Sequence, residues 1–290
     1  MKGVFKMSIT PSMVSDLRKT SGAGMMDCKR ALGEANGDMT KAQEILRKWG
    51  MASVTKRAGR TAAEGTIGYT SNDDNTVGVL VEVNCETDFV AKNDDFKAFV
   101  KNVTKLIKEN NFDNLDSLLN SKLNEETVES RLQLLTAKIG EKLSVRRFAK
   151  DKADSTQKLA QYIHPGDKIG VMILYSDPSG KLDEMNARDV AMHVAAMRPQ
   201  YLRSTDISQD VMEKEKEIVA AQMKDEKKPP EIIEKILEGK LRRYFSEVCL
   251  EDQLFVKDPD GKATVAKWLT KIDQGIKIEK FVRFEVGEGL

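Results

Sequence analysis

One order of elements occurs twice in this chain, and it restricts the fold more than any other feature. Residues 66–70 and 77–83 read as two strands around the turn cluster 72–75. Val77, Val79, Val81 and Val83 alternate with Gly78, Leu80, Glu82 and Asn84, which predicts a strand with one well-packed face. Phe96, Phe99, Val100, Val103 and Ile107 then recur at helical spacing. Roughly 90 residues later the order returns, a period too long for a solenoid. Residues 159–163, the turn His164-Pro165-Gly166-Asp167 and residues 169–175 form a second hairpin. A helix over 186–197 follows, with Val190, His193, Val194 and Met197 on one stripe. Two similar α+β halves with antiparallel sheets are expected. A last strand over 281–286 completes the second sheet, and residues 113–148 between the halves read as helical.

Two other segments depart from that pattern. Residues 10–50 read as three short helices. Thr10 caps the first with Pro11 at its first position, and Gly22 follows its end. The second runs from about Met25 to Ala35 with Cys28, Ala31, Leu32 and Ala35 on one stripe, stopped by Asn36-Gly37. Asp38 caps the third, which Gly50 ends. Residues 51–64, with Lys56, Arg57 and Arg60, read as a linker. Residues 205–248 hold two amphipathic stripes. One carries Ile207, Val211, Ile218 and Val219; the other carries Ile232, Ile236, Leu237, Leu241, Tyr244 and Val248. Lys227-Lys228-Pro229-Pro230 between them forces a turn, which predicts an antiparallel helical hairpin inserted into the second half. The expected domains are 1–60 (helical domain and linker), 61–155 (first core part), 156–201 with 251–290 (second core part) and 202–250 (inserted hairpin).

Composition narrows the function. Lys+Arg is 47 against Asp+Glu 46, so the basic surplus of a nucleic-acid binder is missing and no direct nucleic-acid contact is expected. Three cysteines, Cys28, Cys85 and Cys249, lie far apart without a C-x-x-C pair, which points to a reducing compartment. Two histidines are too few for a His-rich metal site, and no apolar run reaches bilayer length. The N-terminus, Met1 to Lys6, lacks the apolar core of a signal peptide, and Met7 serves equally well as a start; a cytoplasmic protein is expected. No phosphate-cradling G-x-x-x-x-G-K-[ST], no G-x-S-x-G elbow and no H-E-x-x-H occurs, so no enzyme, metal or cofactor is expected. Asp88, Asp94 and Asp95 sit where a helix begins and complement its dipole rather than act as acid and base. His164 reads as a hydrogen-bonding turn residue.

Two places fit a purely structural reading poorly. Phe89 and Val90 lie outside both neighbouring patterns. A buried side chain and an exposed aromatic anchor on a short rigid loop are both open for Phe89. Met25 and Met26 are adjacent and cannot both face one small core, so a protein-binding surface is expected there.

These stretches carry a resemblance. Residues 20–32, Thr20-Ser21-Gly22-Ala23-Gly24-Met25-Met26-Asp27-Cys28-Lys29-Arg30-Ala31-Leu32, resemble the N-terminal signature of the bacterial elongation factor Ts family. Residues 81–92, Val81-Glu82-Val83-Asn84-Cys85-Glu86-Thr87-Asp88-Phe89-Val90-Ala91-Lys92, resemble its second signature. Ala137-Lys138-Ile139-Gly140-Glu141, the His164 turn, residues 190–196 and residues 283–289 match in the same order, so the resemblance spans nearly the whole chain.

The resemblance implies a guanine-nucleotide exchange factor for elongation factor Tu. Its fold would be a ubiquitin-associated-like (UBA-like) helical domain, a two-part α+β core and an inserted coiled-coil hairpin. Thr87, Asp88, Phe89 and Val90 would approach the Mg²⁺ and nucleotide site of the GTPase, with Phe89 as the wedge. Met25, Met26 and Lys29 would bind its nucleotide-binding domain, and Ile139, Gly140, His164 and Val256 would supply further contacts. A homodimer or a 2:2 complex stays open. Position 257 is Lys where familiar members carry an apolar residue, and the chain stops at Leu290 where many continue with a short helical module. The competing readings are an RNA- or ribosome-associated binding protein using Lys56, Arg57 and Arg60, and an adaptor without effect on nucleotide.

Overall fold

The computed structural model describes residues 8–222 and 230–290; the readings of Met1 to Met7 and of the turn at Lys227-Lys228-Pro229 lie outside them. By internal contacts the chain divides into two units. One holds the residues up to Gly68, Val81–Phe148 and Val286–Leu290; the other holds Tyr69–Leu80 and Ala149–Glu285.

The first unit begins with α1 (Pro11–Ser21), α2 (Met25–Glu34) and α3 (Met39–Arg57). Thr10 Oγ1 accepts the Met13 amide and Asp38 accepts the Lys41 amide, satisfying donors that a helix start leaves open. Val14, Leu17, Cys28, Ala31, Leu32, Ala35 and Ala42 form the small core of this trio. The expected stop at Gly50 is overturned, because α3 runs through it to Arg57 and takes up the first half of the expected linker. The reason is packing. A Cβ on Gly50 would lie 3.1 Å from the Cβ of Ala137, so the missing side chain lets two helices close up.

Strands β1 (Glu64–Ser71) and β2 (Val77–Cys85) follow, then the single turn α4 (Asp88–Ala91) and the long α5 (Asp94–Glu109). The helical reading of 113–148 is corrected. It contains α6 (Leu115–Asn120), a small β3–β4 hairpin (Lys122–Leu123 with Glu126–Thr127), α7 (Val128–Ile139) and strand β5 (Ser144–Lys152). β5 completes a sheet of order β1-β2-β5. β2, now central, is buried on both faces rather than one. Glu82 on its second face is fully buried. It takes Arg146 at 3.0 Å, Arg147 at 2.6 Å and the Gly287 amide at 2.9 Å, so the C-terminal tail is part of the cover.

In the second unit, β6 (Gln157–Ile163), β7 (Ile169–Ser176) and β8 (Lys277–Glu285) form an antiparallel sheet of order β6-β7-β8. Gly78 on β2 lies directly on it, since an added Cβ would sit 2.5 Å from Met172 Sδ. Helix α8 (Glu184–Met197) packs against β6 and β7. Val190, His193 and Val194 are buried as expected, whereas Met197 at the helix end is exposed. Helices α9 (Gln209–Gln222) and α10 (Pro230–Val248) pack together, with Val211 and Met212 of one near Tyr244 and Phe245 of the other around Ile207 and Val248. Ile207 precedes α9 instead of lying on it. Helix α11 (Val265–Ile272) went unforeseen; its Val265 and Leu269 join the core of β7 and α8. Cys28, Cys85 and Cys249 are buried and none is in a disulfide. No helix among the described residues is long and apolar enough to cross a membrane.

Candidate partner-binding site

At the end of β2 the chain must leave a buried strand and enter a helix. Thr87 makes the transition as the cap of α4, its hydroxyl accepting the Val90 amide at 3.4 Å. A helix of one turn shows two neighbours to the interior and two to solvent. Val90 and Ala91 are buried, whereas Phe89 is 80% exposed. Asp88, also outward, pairs with Lys92 Nζ at 2.8 Å, one turn on, and that bond raises the Lys92 pKa. Asn93 then caps α5 through the amides of Asp95 and Phe96.

Nothing within α4 is long enough to hold it still, and the brace comes from α7. Gly140 ends α7 in the left-handed conformation, φ 88°, with open space where a side chain would go; the backbone angle, not crowding, calls for glycine. That turn brings Glu141 back toward β2. Its Oε2 accepts the amides of Glu86 and Thr87 at 3.2 and 3.0 Å, and its Oε1 accepts the Thr87 hydroxyl at 2.7 Å. Glu86 in turn accepts the Lys142 amide at 2.7 Å and pairs with Arg60 at 3.3 Å. The Lys142 amide is the main reason its carboxyl titrates below the usual range. Thr87–Val90 and Ile139–Gly140 therefore converge on one braced region. Glu141, the residue that joins them, was not among the expected site residues, although the Ala137–Glu141 motif contains it.

The other expected residues lie elsewhere. Met25 and Met26 open α2, 58% and 73% exposed, with Lys29 exposed beside them; the buried stripe of α2 is Cys28, Ala31 and Leu32. His164 is exposed in the β6–β7 turn, its Nδ1 3.0 Å from the Tyr162 hydroxyl. Val256 is 45% exposed, and its amide donates to Nδ1 of buried His193 at 3.3 Å. His193 Nε2 then donates to Gln253 Oε1 at 3.1 Å. Burial pushes the His193 pKa down to about 4, so the ring is neutral. Lys257, the departure noted above, lies 3.9 Å from Asp189.

Exposed apolar side chains on a braced backbone are the marks of a protein-docking surface. The family model described as elongation factor TS matches residues 86–288. The chain is 45% identical over 285 residues to elongation factor Ts of Hydrogenovibrio crunogenus, covering 98% of this chain and 93% of that one. It is 46% identical over 290 residues to elongation factor Ts of Nautilia profundicola, covering 98% and 94%. The same factor of Clostridium perfringens is 46% identical over 288 residues, covering 97% and 94%. The chain belongs to the elongation factor Ts family. Its role is guanine-nucleotide exchange on elongation factor Tu during translation elongation.

Proposed function

We propose that the exchange works through Phe89, which enters the Mg²⁺ and nucleotide site of elongation factor Tu while Met25, Met26 and Lys29 hold its nucleotide-binding domain. Asp88 and the Thr87 backbone accompany the ring, and Ile139, Gly140, His164 and Val256 add contacts. Val90 contributes by anchoring α4 from inside. The observation that carries this reading is a ring 80% exposed on a one-turn helix whose entry is pinned by Glu141.

The energetics require more than one contact. A factor that binds the empty GTPase better than the loaded form weakens nucleotide binding by the same ratio. Moving such an equilibrium from nearly all loaded to nearly all empty takes about 5.5 kcal/mol. Burying one Phe supplies roughly 1.5–3 kcal/mol. Disturbance of the Mg²⁺ shell and the methionine contact make up the difference. No step forms or breaks a covalent bond, so the factor is not an enzyme and needs no cofactor. Under the same reading α1–α3 are the UBA-like domain, α9 and α10 form a coiled-coil hairpin, and the protein works in the cytoplasm.

The test is release of fluorescent GDP from purified elongation factor Tu, with and without this chain. Stimulated release is expected to fall at least about tenfold for Phe89→Ala, equivalent to about 1.4 kcal/mol at the barrier. An unchanged rate would remove Phe89 from the mechanism. Light scattering on the complex separates a 1:1 from a 2:2 assembly.

A further inference from the structure

Ala137, Lys138 and Glu141, at and just past the end of α7, reach α3, the turn before α2, α5 and the entry to α4. The Ala137 Cβ sits 3.1 Å from where a Cβ on Gly50 of α3 would be. The Lys138 stem lies under the turn before α2, its Cδ 3.3 Å from the corresponding point on Gly22. The Lys138 ammonium pairs with Asp95 of α5 at 2.7 Å. Gly140 makes the left-handed turn, and Glu141 clamps Thr87. Beside this seam the helical trio and α5–α7 are separated by an open cleft of about 960 Å³, lined by Gln43, Arg47, Asn102 and Arg131 among others.

We infer that residues Ala137–Glu141 are a yoke that fixes the spacing between Met25–Met26 and Phe89, with Gly50 and Lys138 as positioning residues for nucleotide exchange. The inference rests on the reading of those side chains as two contact areas on one GTPase. Two areas held at the right spacing act as one bivalent surface, because the first contact presents the second at high effective concentration. Loosening the yoke leaves each area chemically intact. It therefore raises the concentration of factor needed for half-maximal exchange and spares the rate at saturation.

Gly50→Leu forces the α3–α7 seam open. It is expected to raise the half-saturating concentration about tenfold in the GDP-release assay with an unchanged plateau, within the range that linkage of two contacts provides. The Gly50→Ala/Ala137→Gly double variant moves one methyl across the seam and is expected to keep the wild-type value. Lys138→Ala, on the surface, serves if the leucine variant does not fold; it removes the Gly22 support and the Asp95 pair and is expected to raise the same constant two- to threefold or more. Either single variant, folded by circular dichroism and with wild-type half-saturation, overturns the inference. So does a plateau that falls while half-saturation stays put. Hydrogen exchange of amides 134–138 reads the seam without any GTPase, and Gly50→Leu is expected to accelerate it; unchanged protection overturns the yoke. Absence of stimulated release by the wild-type chain would instead sink the exchange reading, leaving the seam to the hydrogen-exchange result.

Discussion

Glu141 holds the backbone of Glu86, and Glu86 holds the backbone one residue past Glu141. The Glu141 carboxylate accepts the Glu86 and Thr87 amides, and the Glu86 carboxylate accepts the amide of Lys142, next to Glu141. Two acidic side chains that would repel across open water are thereby each turned onto N–H donors. Removing the Glu141 acceptor leaves three donors to solvent at the entry to α4. Glu141→Ala is expected to cost about 1–3 kcal/mol of stability, as for lost charge-assisted bonds. GDP release is expected to slow although Phe89 is intact. Glu141→Gln keeps an acceptor oxygen and is expected to lose less of both, read by urea unfolding and the release assay.

Phe89 and Val90 are neighbours with opposite expectations. Phe89→Ala removes an exposed ring and is expected to change stability by no more than about 0.5 kcal/mol. Val90→Ala deletes two buried methyl groups and is expected to cost about 1–2 kcal/mol. Denaturation midpoints beside release rates separate the pair: Phe89→Ala should lose exchange at wild-type stability, and Val90→Ala should lose stability first.

Glu82 is a fully buried charge of the first unit. Burial works to raise its pKa, but the Gly287 amide, Asn84, Arg146 and Arg147 outweigh it and hold the value below the ordinary 4.5. A depressed carboxyl contributes stability that is complete above 4.5 and is lost as pH falls through its folded value. Unfolding midpoints should therefore drop steeply on acidification below that point. Glu82→Gln leaves two arginines facing a neutral group and is expected to cost about 3 kcal/mol at neutral pH while flattening the acid limb.

His193 sets a different window. Its ring is neutral in the fold with a pKa of about 4 against an ordinary 6.5, so the unfolded chain binds the extra proton first. Its contribution is complete above 6.5 and is lost as pH falls toward 4. At about 1.4 kcal/mol per pKa unit the loss reaches roughly 3 kcal/mol at most. His193→Gln should remove this pH dependence between 6.5 and 4, measured by urea titration at stepped pH.

What the chain discloses in advance follows the range of the interaction. Caps and stops are local, so Thr10, Asp38 and Asn36-Gly37 were readable, as were the β6–β7 hairpin and the exposure of Met25 and Met26. β5 was missed because its pattern is weak and its partner β2 lies some sixty positions earlier, as the Glu82–Arg146 bond shows. The second buried face of β2 was missed for the same reason, since its cover includes Gly287. At the site, the spacing around Phe89 left burial and exposure equally open. A cap at Thr87 that turns Val90 inward decides it, and the Glu141 brace depends on a tertiary contact that no spacing rule reaches.

Gly50 illustrates a conflict between local and distant demands. Judged by the helix alone it is a poor choice, since alanine there would add about 1 kcal/mol of helical preference. Judged by the neighbouring helix it is the residue that permits contact, because any β-carbon must push against Ala137. A redesign guided by propensity would replace it and set that preference against a contact in which Ala137 must give way, so the weakest link of α3 is also where its seating is decided.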